Sequence, residues 1–418
     1  MSPLIPLDGR GPLRSAGMVT DLADPAPRRG GPAAAADVAA ADVAAADVAA
    51  TMRVAEALLT ARMGAAVELA DPEDLGGSDR SVVLRVRVAR NPFSLPRTLV
   101  IKHSTVPAPA GAIDPFAREA ASCQLFTALH LDHRPGPALI ASDPTERLLV
   151  LEDLGRSATV AGTLMRGEPA VAVRALLDWA RALGRLHAAT AGREPDFAAL
   201  LRRLGEHRST DPVREQGLAA VEGLPDLLED RLATTTPAGV RALARRAARL
   251  LDGKLYRAYS PADLGPDNAV VVGRTVRFID FESGGYRTAL LDAAQLRASL
   301  PSSWSGYTIP RRLSDAMVSA WHAEVAPLWP ELGDRDSSAG LLLDSQLLWT
   351  WSSTWWLLPG ADPSPHARAL VDRWEALAQD AGAAGSTALA VHSAAVAAAL
   401  RRRFDVTGVA LPPYPALR

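Results

Sequence analysis

Residues 260–282 run Ser260-Pro261-Ala262-Asp263-Leu264-Gly265-Pro266-Asp267-Asn268-Ala269-Val270-Val271-Val272-Gly273-Arg274-Thr275-Val276-Arg277-Phe278-Ile279-Asp280-Phe281-Glu282. Asp263 and Asn268 lie on a loop stiffened by Pro261 and Pro266 and opened by Gly265. The apolar runs flanking Gly273 predict a strand–turn–strand unit between Ala269 and Ile279. Asp280 follows directly on the second strand. Phosphoryl transfer asks a protein mainly to align the acceptor hydroxyl and to hold divalent metal against the phosphates. Asp263 suits the first task, as acceptor of the hydroxyl proton. Asn268 and Asp280 suit the second, because Mg²⁺ takes a few hard oxygen ligands and keeps several waters. Asp and Asn in Gly/Pro loops commonly form turns, and Asp267 alone fits that description. A carboxylate placed straight after a strand, like Asp280, does not.

Composition sharpens this assignment. The chain of 418 residues carries 45 Lys plus Arg, yet only two are lysines, Lys102 and Lys254, and asparagine occurs only as Asn91 and Asn268. Where Arg replaces Lys almost everywhere, a retained lysine points to a task that arginine cannot perform. The formal net charge of −2, with both signs spread along the chain, gives no nucleic-acid footprint and no polybasic membrane patch. The single Cys123 excludes an internal disulfide and fits a reducing cytoplasm. No run approaches the length of a membrane helix. Arg28-Arg29 precedes an alanine-rich stretch, but Asp37, Asp42 and Asp47 interrupt what would be the apolar core of an export signal.

The length allows two or three domains at roughly 150 residues each. Residues 1–50 are expected to be a disordered or processed extension. Their five-residue repeat, first seen at Ala36-Asp37-Val38-Ala39-Ala40, matches neither helix nor strand periodicity. From residue 51 the pattern predicts a helix over Met52–Met63 and strands over Ala66–Leu69, Val82–Ala89, Thr98–Lys102 and Leu148–Leu151. Gly76-Gly77 is placed in the first connection. Asp114-Pro115 marks a helix start, with Asp as N-cap and Pro at the first helical position, and the helix should extend to about Leu129. Beyond Gly155 helical periodicity dominates. A sheet-rich lobe over 51–152 should therefore precede a large helical lobe over 153–418.

Lys102 ends the third strand. On the following helix Glu119 shares the apolar face with Phe116, Cys123 and Phe126, where a carboxylate is costly unless paired. Lys102 is its candidate partner. Leu75-Gly76-Gly77-Ser78 is either a phosphate-covering loop or an ordinary turn. It lacks the G-x-x-x-x-G-K-[ST] pattern of a P-loop.

The segment around Asp263 resembles the aminoglycoside phosphotransferase and choline kinase group of protein-kinase-like enzymes. Their signature, His-Gly-Asp-Leu-His-Pro-Gly-Asn followed by Ile-Asp-Phe-Glu, is matched at Asp263, Leu264, Pro266, Asn268 and Ile279-Asp280-Phe281-Glu282. Leu290-Leu291-Asp292 is similar to the group's Leu-Leu-Asp, whose Asp is structural. The chain departs at Pro261 and Ala262, where the group has His and Gly; that His mainly supports the loop, and its replacement leaves open a nucleotide-binding pseudokinase scaffold, as the motif leaves open a kinase acting on Ser or Thr of a peptide or protein. The resemblance spans roughly Leu69–Ala298 and implies an α+β, bilobal protein-kinase-like fold. It implies ATP or GTP with Mg²⁺ as cofactors, a small-molecule hydroxyl as acceptor, and Lys102 and Glu119 as the phosphate-binding pair. Gly76, Gly77 and Ser78 would lie over the phosphates. Glu152 and Leu154, in Leu151-Glu152-Asp153-Leu154-Gly155, would contact the base through their backbone.

Eight of the nine tryptophans fall between Trp304 and Trp374, which suits either helix packing or an aromatic wall for a ring-bearing acceptor. His187, on a long amphipathic helix, is expected to be a structural histidine, and Cys123 a small core residue.

Overall fold

Strand alternation sets the faces of the first sheet. In β2 (Ser81–Arg90) and β3 (Thr98–Ser104), Leu84, Val86, Leu99 and Ile101 lie on one face and are fully buried. Val100 and Lys102 alternate onto the other. With β1 (Glu68–Ser78), β4 (Leu139–Asp143) and β5 (Leu148–Glu152) these strands form an antiparallel sheet of five, in the order β1-β2-β3-β5-β4. The computed structural model describes residues 32–78, 80–90, 95–108, 112–207, 211–297, 306–333, 335–360, 365–406 and 411–418.

Helix α1 (Pro32–Met63) packs Ala55 and Leu59 on the outer face of this sheet, against Leu84, Val86, Leu99 and Ile101. It begins at Pro32, not Met52. Alanine has the highest helix propensity of all residues, so the alanine-rich repeat needs no apolar face to become helical. Proline is tolerated in a first turn. Within the stretch expected to be a disordered or processed extension, residues 32–50 are thus helical, and residues 1–31 lie outside the described residues.

The β1 strand is also longer than predicted. Gly76 and Gly77, expected in the connection, belong to β1 itself, with Gly77 opposite Val82 and Ser78 opposite Ser81. A register shift between Asp74 and Gly77 absorbs the irregular backbone. Gly76 has φ +91°, and a Cβ on Gly77 would fall 2.2 Å from the Ser81 carbonyl oxygen. Both positions therefore require glycine.

Helix α2 (Pro115–Thr127) connects β3 to β4 and starts as predicted: Asp114 is its N-cap, accepting from Phe116 N at 3.1 Å. Its inner face carries Phe126, whose ring meets both Tyr259 and Phe281 edge-on at 4.8 Å. After Glu152 the chain is mainly helical, beginning with α3 (Val160–Arg166) and α4 (Pro169–Thr190). Two small antiparallel pairs interrupt the helices: β6 (Arg257–Ser260) with β9 (Gly285–Thr288), and β7 (Ala269–Val272) with β8 (Thr275–Phe278). The β7–β8 turn is made at Gly273, φ +61°, as the sequence predicts. The fold is thus α+β, an antiparallel sheet followed by a helical body.

Trp179, Trp321, Trp351 and Trp374 are fully buried in the helical core. Packing accounts for these tryptophans, while Trp304 lies outside the described residues. Among the described residues no helix is long and apolar enough to cross a membrane.

Two glycines separate helix propensity from packing. On α4, a Cβ on Gly184 would meet Glu324 Cβ at 2.6 Å and the Trp321 carbonyl at 2.9 Å, where the helix Arg311–Val325 crosses. Gly239, in the helix Ala238–Ala247, has nothing within 4 Å. Gly184→Ala is expected to lose roughly 1–3 kcal/mol in urea denaturation through overpacking. Gly239→Ala should gain up to about 1 kcal/mol.

Candidate active site

The site is built on the β7–β8 hairpin. Its register, Ala269 opposite Phe278, places Asn268 beside Ile279, and Ile279 N donates to Asn268 O at 2.9 Å. Asp280 therefore lies one residue beyond the partner of Asn268 at the open end of the hairpin. Upstream, Asp263 Oδ1 accepts from Gly265 N at 3.0 Å, and Asn268 N donates to Gly265 O at 3.0 Å, closing a tight turn over Pro266–Asn268. Asn268 is buried, and its Nδ2 has no hydrogen-bond partner. Asp280 has φ +64°, a left-handed conformation that Asp tolerates better than most residues. The strain is offset by Phe281, fully buried against Phe126.

Lys102 meets this hairpin from the sheet. Its Nζ lies 2.7 Å from Glu119 Oε2 and 2.7 Å from Asp280 Oδ1. The pair expected between Lys102 and Glu119 is formed, and Asp280 joins it as a second carboxylate. Burial alone would push the Lys102 ammonium down, but Asp280 and Glu119 together raise it well above the ordinary lysine range. Glu282 lies close by and half-buried; burial and then the negative charge of Asp280 push its carboxyl up to about 7.

Three acids, Glu119, Asp280 and Glu282, thus share one lysine, with Arg80 adding a weaker pull on Glu282. The surplus of negative charge and the hard oxygens of Asn268 and Asp280 fit a divalent cation that completes its shell with phosphate and water. Among the described residues no cluster of three or more His, Cys, Asp and Glu could hold a metal without such help.

The remaining sequence-predicted residues lie farther off. Gly76, Gly77 and Ser78 sit two strands from Lys102, at the same end of the sheet: Gly77 opposes Val82, and Val82 opposes His103. The Gly76 N–H is taken by Asp74 Oδ1 at 2.9 Å. The Glu152 carboxylate accepts from Ala138 N at 3.0 Å, so its side chain holds β4 beside β5. Leu154 is half-buried in the segment that leaves the sheet. Arg85 bridges that segment to β2, donating to both Asp153 oxygens at 3.0 and 3.1 Å and to Gly155 O at 2.9 Å. Burial would raise the Asp153 carboxyl, but the hydrogen bonds from Arg85 and Thr98 bring it below the usual range.

Several further residues shape the site. Arg118, next to Glu119, donates to Gly284 O at 2.7 Å, so one turn of α2 holds both Lys102 and the segment after Asp280. Arg287 donates to Ser283 O at 3.0 Å and pairs with Asp211 at 2.8 Å. An arginine-rich sequence offers no signal that would separate these two from the others. Glu282 was visible, as the fourth member of Ile279-Asp280-Phe281-Glu282. A cavity of about 800 Å³, lined by Glu194, Arg214, Asp252, Tyr256, Arg257 and Trp329, opens at the other end of β6 from Asp263 and takes no part in this cluster.

Removing the lysine should expose its structural share. Lys102→Met leaves Glu119 and Asp280 facing each other without a cation, and a loss of roughly 3–5 kcal/mol is expected in urea denaturation. Adding Glu119→Gln should recover part of that loss, and simple additivity of the two changes would contradict the pairing.

No protein-family model matches the chain, and no curated protein matches it in sequence. Solved structures show distant likeness. A choline/ethanolamine kinase family protein from Mesorhizobium loti is 17% identical, with a TM-score of 0.41, over 79% of this chain and 93% of that one. The aminoglycoside-3'-phosphotransferase of type VIII is 22% identical, with a TM-score of 0.38, over 68% and 92%. Amicoumacin kinase hAmiN, solved with AMP-PNP, Ca²⁺ and Ami, is 13% identical, with a TM-score of 0.44, over 74% and 88%.

Proposed function

We propose that the chain is a metal-dependent phosphotransferase that moves the γ-phosphoryl group of ATP, or of GTP, to a hydroxyl of a small molecule. One observation carries this reading: the Lys102 ammonium joins Glu119 of α2 to Asp280, and Asp280 directly follows Ile279, whose N–H bonds the Asn268 carbonyl. A fixed cation next to an amide oxygen and a carboxylate is what a triphosphate with its metal requires. The small-molecule acceptor is supported by the sequence motif from Asp263 to Glu282, which resembles that of small-molecule kinases.

In this reading Lys102 binds phosphate oxygens, and Glu119 keeps its ammonium in place. Asn268 and Asp280 would hold Mg²⁺, which when bound offsets the charge of the phosphates. Gly76, Gly77 and Ser78 cover the phosphates, and the backbone of Glu152 and Leu154 meets the base. Asp263 orients the acceptor hydroxyl. As its oxygen bonds to the γ-phosphorus, the bond to the β–γ bridging oxygen breaks, the nucleoside diphosphate leaves, and the hydroxyl proton passes to Asp263.

The test is to incubate the protein with ATP, Mg²⁺ and a panel of hydroxylated metabolites and to follow products by mass spectrometry. One metabolite is expected to gain a single phosphoryl group. Asp263→Ala should slow that transfer by about 10²–10⁴-fold. Full activity in Asp263→Ala, or phosphate appearing only on Ser or Thr of a peptide, would overturn the proposal.

A further inference from the structure

The loop that carries Asp263 contains a conformational problem. Ala262 has φ +66°, a left-handed conformation disfavoured for any residue with a Cβ. Its neighbour Pro261 has no N–H and no polar side chain to anchor the loop. Something else must hold Ala262 where it is, because a change in its φ swings Asp263 directly.

The holding group is the hydroxyl of Ser260, the last residue of β6. Ala262 N–H donates to Ser260 Oγ at 3.1 Å, and Ser260 Oγ–H donates to Asp292 Oδ1 at 2.8 Å. The other oxygen, Asp292 Oδ2, lies 3.1 Å from His187 Nε2. Trp321 Nε1–H, which can only donate, lies 2.9 Å from His187 Nδ1. His187 Nδ1 is therefore the acceptor, and Nε2 carries the hydrogen given to Asp292. Arg287 Nη1 adds a contact to the Ser260 carbonyl at 3.3 Å. Ser260, Asp292, His187 and Trp321 are all buried. The donors converge on the Asp292 carboxylate: Trp321 and His187 from the crossing of α4 with the helix Arg311–Val325, and Ala262 and Ser260 from the catalytic loop, so that one acceptor ties the two together.

We infer that Ser260 is the positioning residue that fixes Ala262 in its left-handed conformation, and through it Asp263, as the end of the Trp321–His187–Asp292–Ser260 chain. The inference rests on the phosphotransferase reading for its kinetic part only. Its structural part concerns one hydrogen bond and needs no substrate.

Ser260→Ala removes that bond and lets Ala262 relax. kcat should fall about 10-fold or more, while KM for the nucleotide stays within about 2-fold, because Lys102, Asn268 and Asp280 are untouched. Glycine adopts positive φ without penalty. Ala262→Gly in the Ser260→Ala background should therefore restore most of the lost kcat while changing the parent enzyme little. Hydrogen exchange supplies the readout independent of activity: the peptide spanning 256–265 should exchange faster in Ser260→Ala, with protection elsewhere unchanged. If no acceptor is ever phosphorylated, the phosphotransferase reading fails and the exchange result alone decides on Ser260. Unchanged exchange in that peptide overturns the inference. So does a double variant no faster than Ser260→Ala in an enzyme that does transfer phosphate.

Discussion

A single ammonium held between two carboxylates organises this molecule. Lys102 arrives from β3, Glu119 from α2 and Asp280 from the end of the β7–β8 hairpin, so three separate elements converge on one atom. An isolated charge at that depth would be strongly disfavoured. The arrangement persists because each partner supplies what the others lack, and breaking any pair leaves a buried charge behind. The cluster also remains short of positive charge once Glu282 is included. That shortfall links a structural contact to a capacity for metal and phosphate.

Around this contact the backbone adopts conformations that ordinary residues avoid. Asp280 and Ala262 both have positive φ, at +64° and +66°. Such geometry survives only where the surroundings over-determine it. For Asp280 the constraints are the Phe281 ring packed on Phe126, the Lys102 contact, and the Arg118 and Arg287 bonds to the carbonyls of Gly284 and Ser283. For Ala262 the constraint is Ser260 with the buried chain behind it. Helix α2 serves in both arrangements. Ser122 on α2 accepts from the Tyr259 hydroxyl at 2.6 Å, one residue before Ser260.

Much of this was legible in the sequence, for identifiable reasons. The Gly273 turn and its flanking apolar runs predicted the hairpin, and hairpin register made the proximity of Asn268 and Asp280 a geometric consequence. The scarcity of lysine singled out Lys102, and helical spacing placed Glu119 on a buried face that demanded a partner. His187 and Cys123 fell into the core as expected. What was not legible depended on tertiary context. The two glycines of β1 read as a connection between strands, a phosphate-covering loop or a turn, because the register shift that keeps them in the strand is set by β2. The alanine-rich repeat lacked periodicity, which argued against a helix, yet alanine propensity makes one from Pro32. Ser260, Arg118 and Arg287 belong to residue types too common here to attract notice, and only their buried partners reveal what they do.

The most direct measurement is the metal dependence of nucleotide binding, followed by calorimetric titration with a non-hydrolysable ATP analogue. With Lys102, Asn268 and Asp280 acting as a unit, the nucleotide should bind about tenfold or more tighter in the presence of Mg²⁺ than in chelator. Asp280→Asn should abolish most of that difference. Equal affinity with and without metal in the parent protein would contradict the claim that this cluster is a metal–triphosphate site.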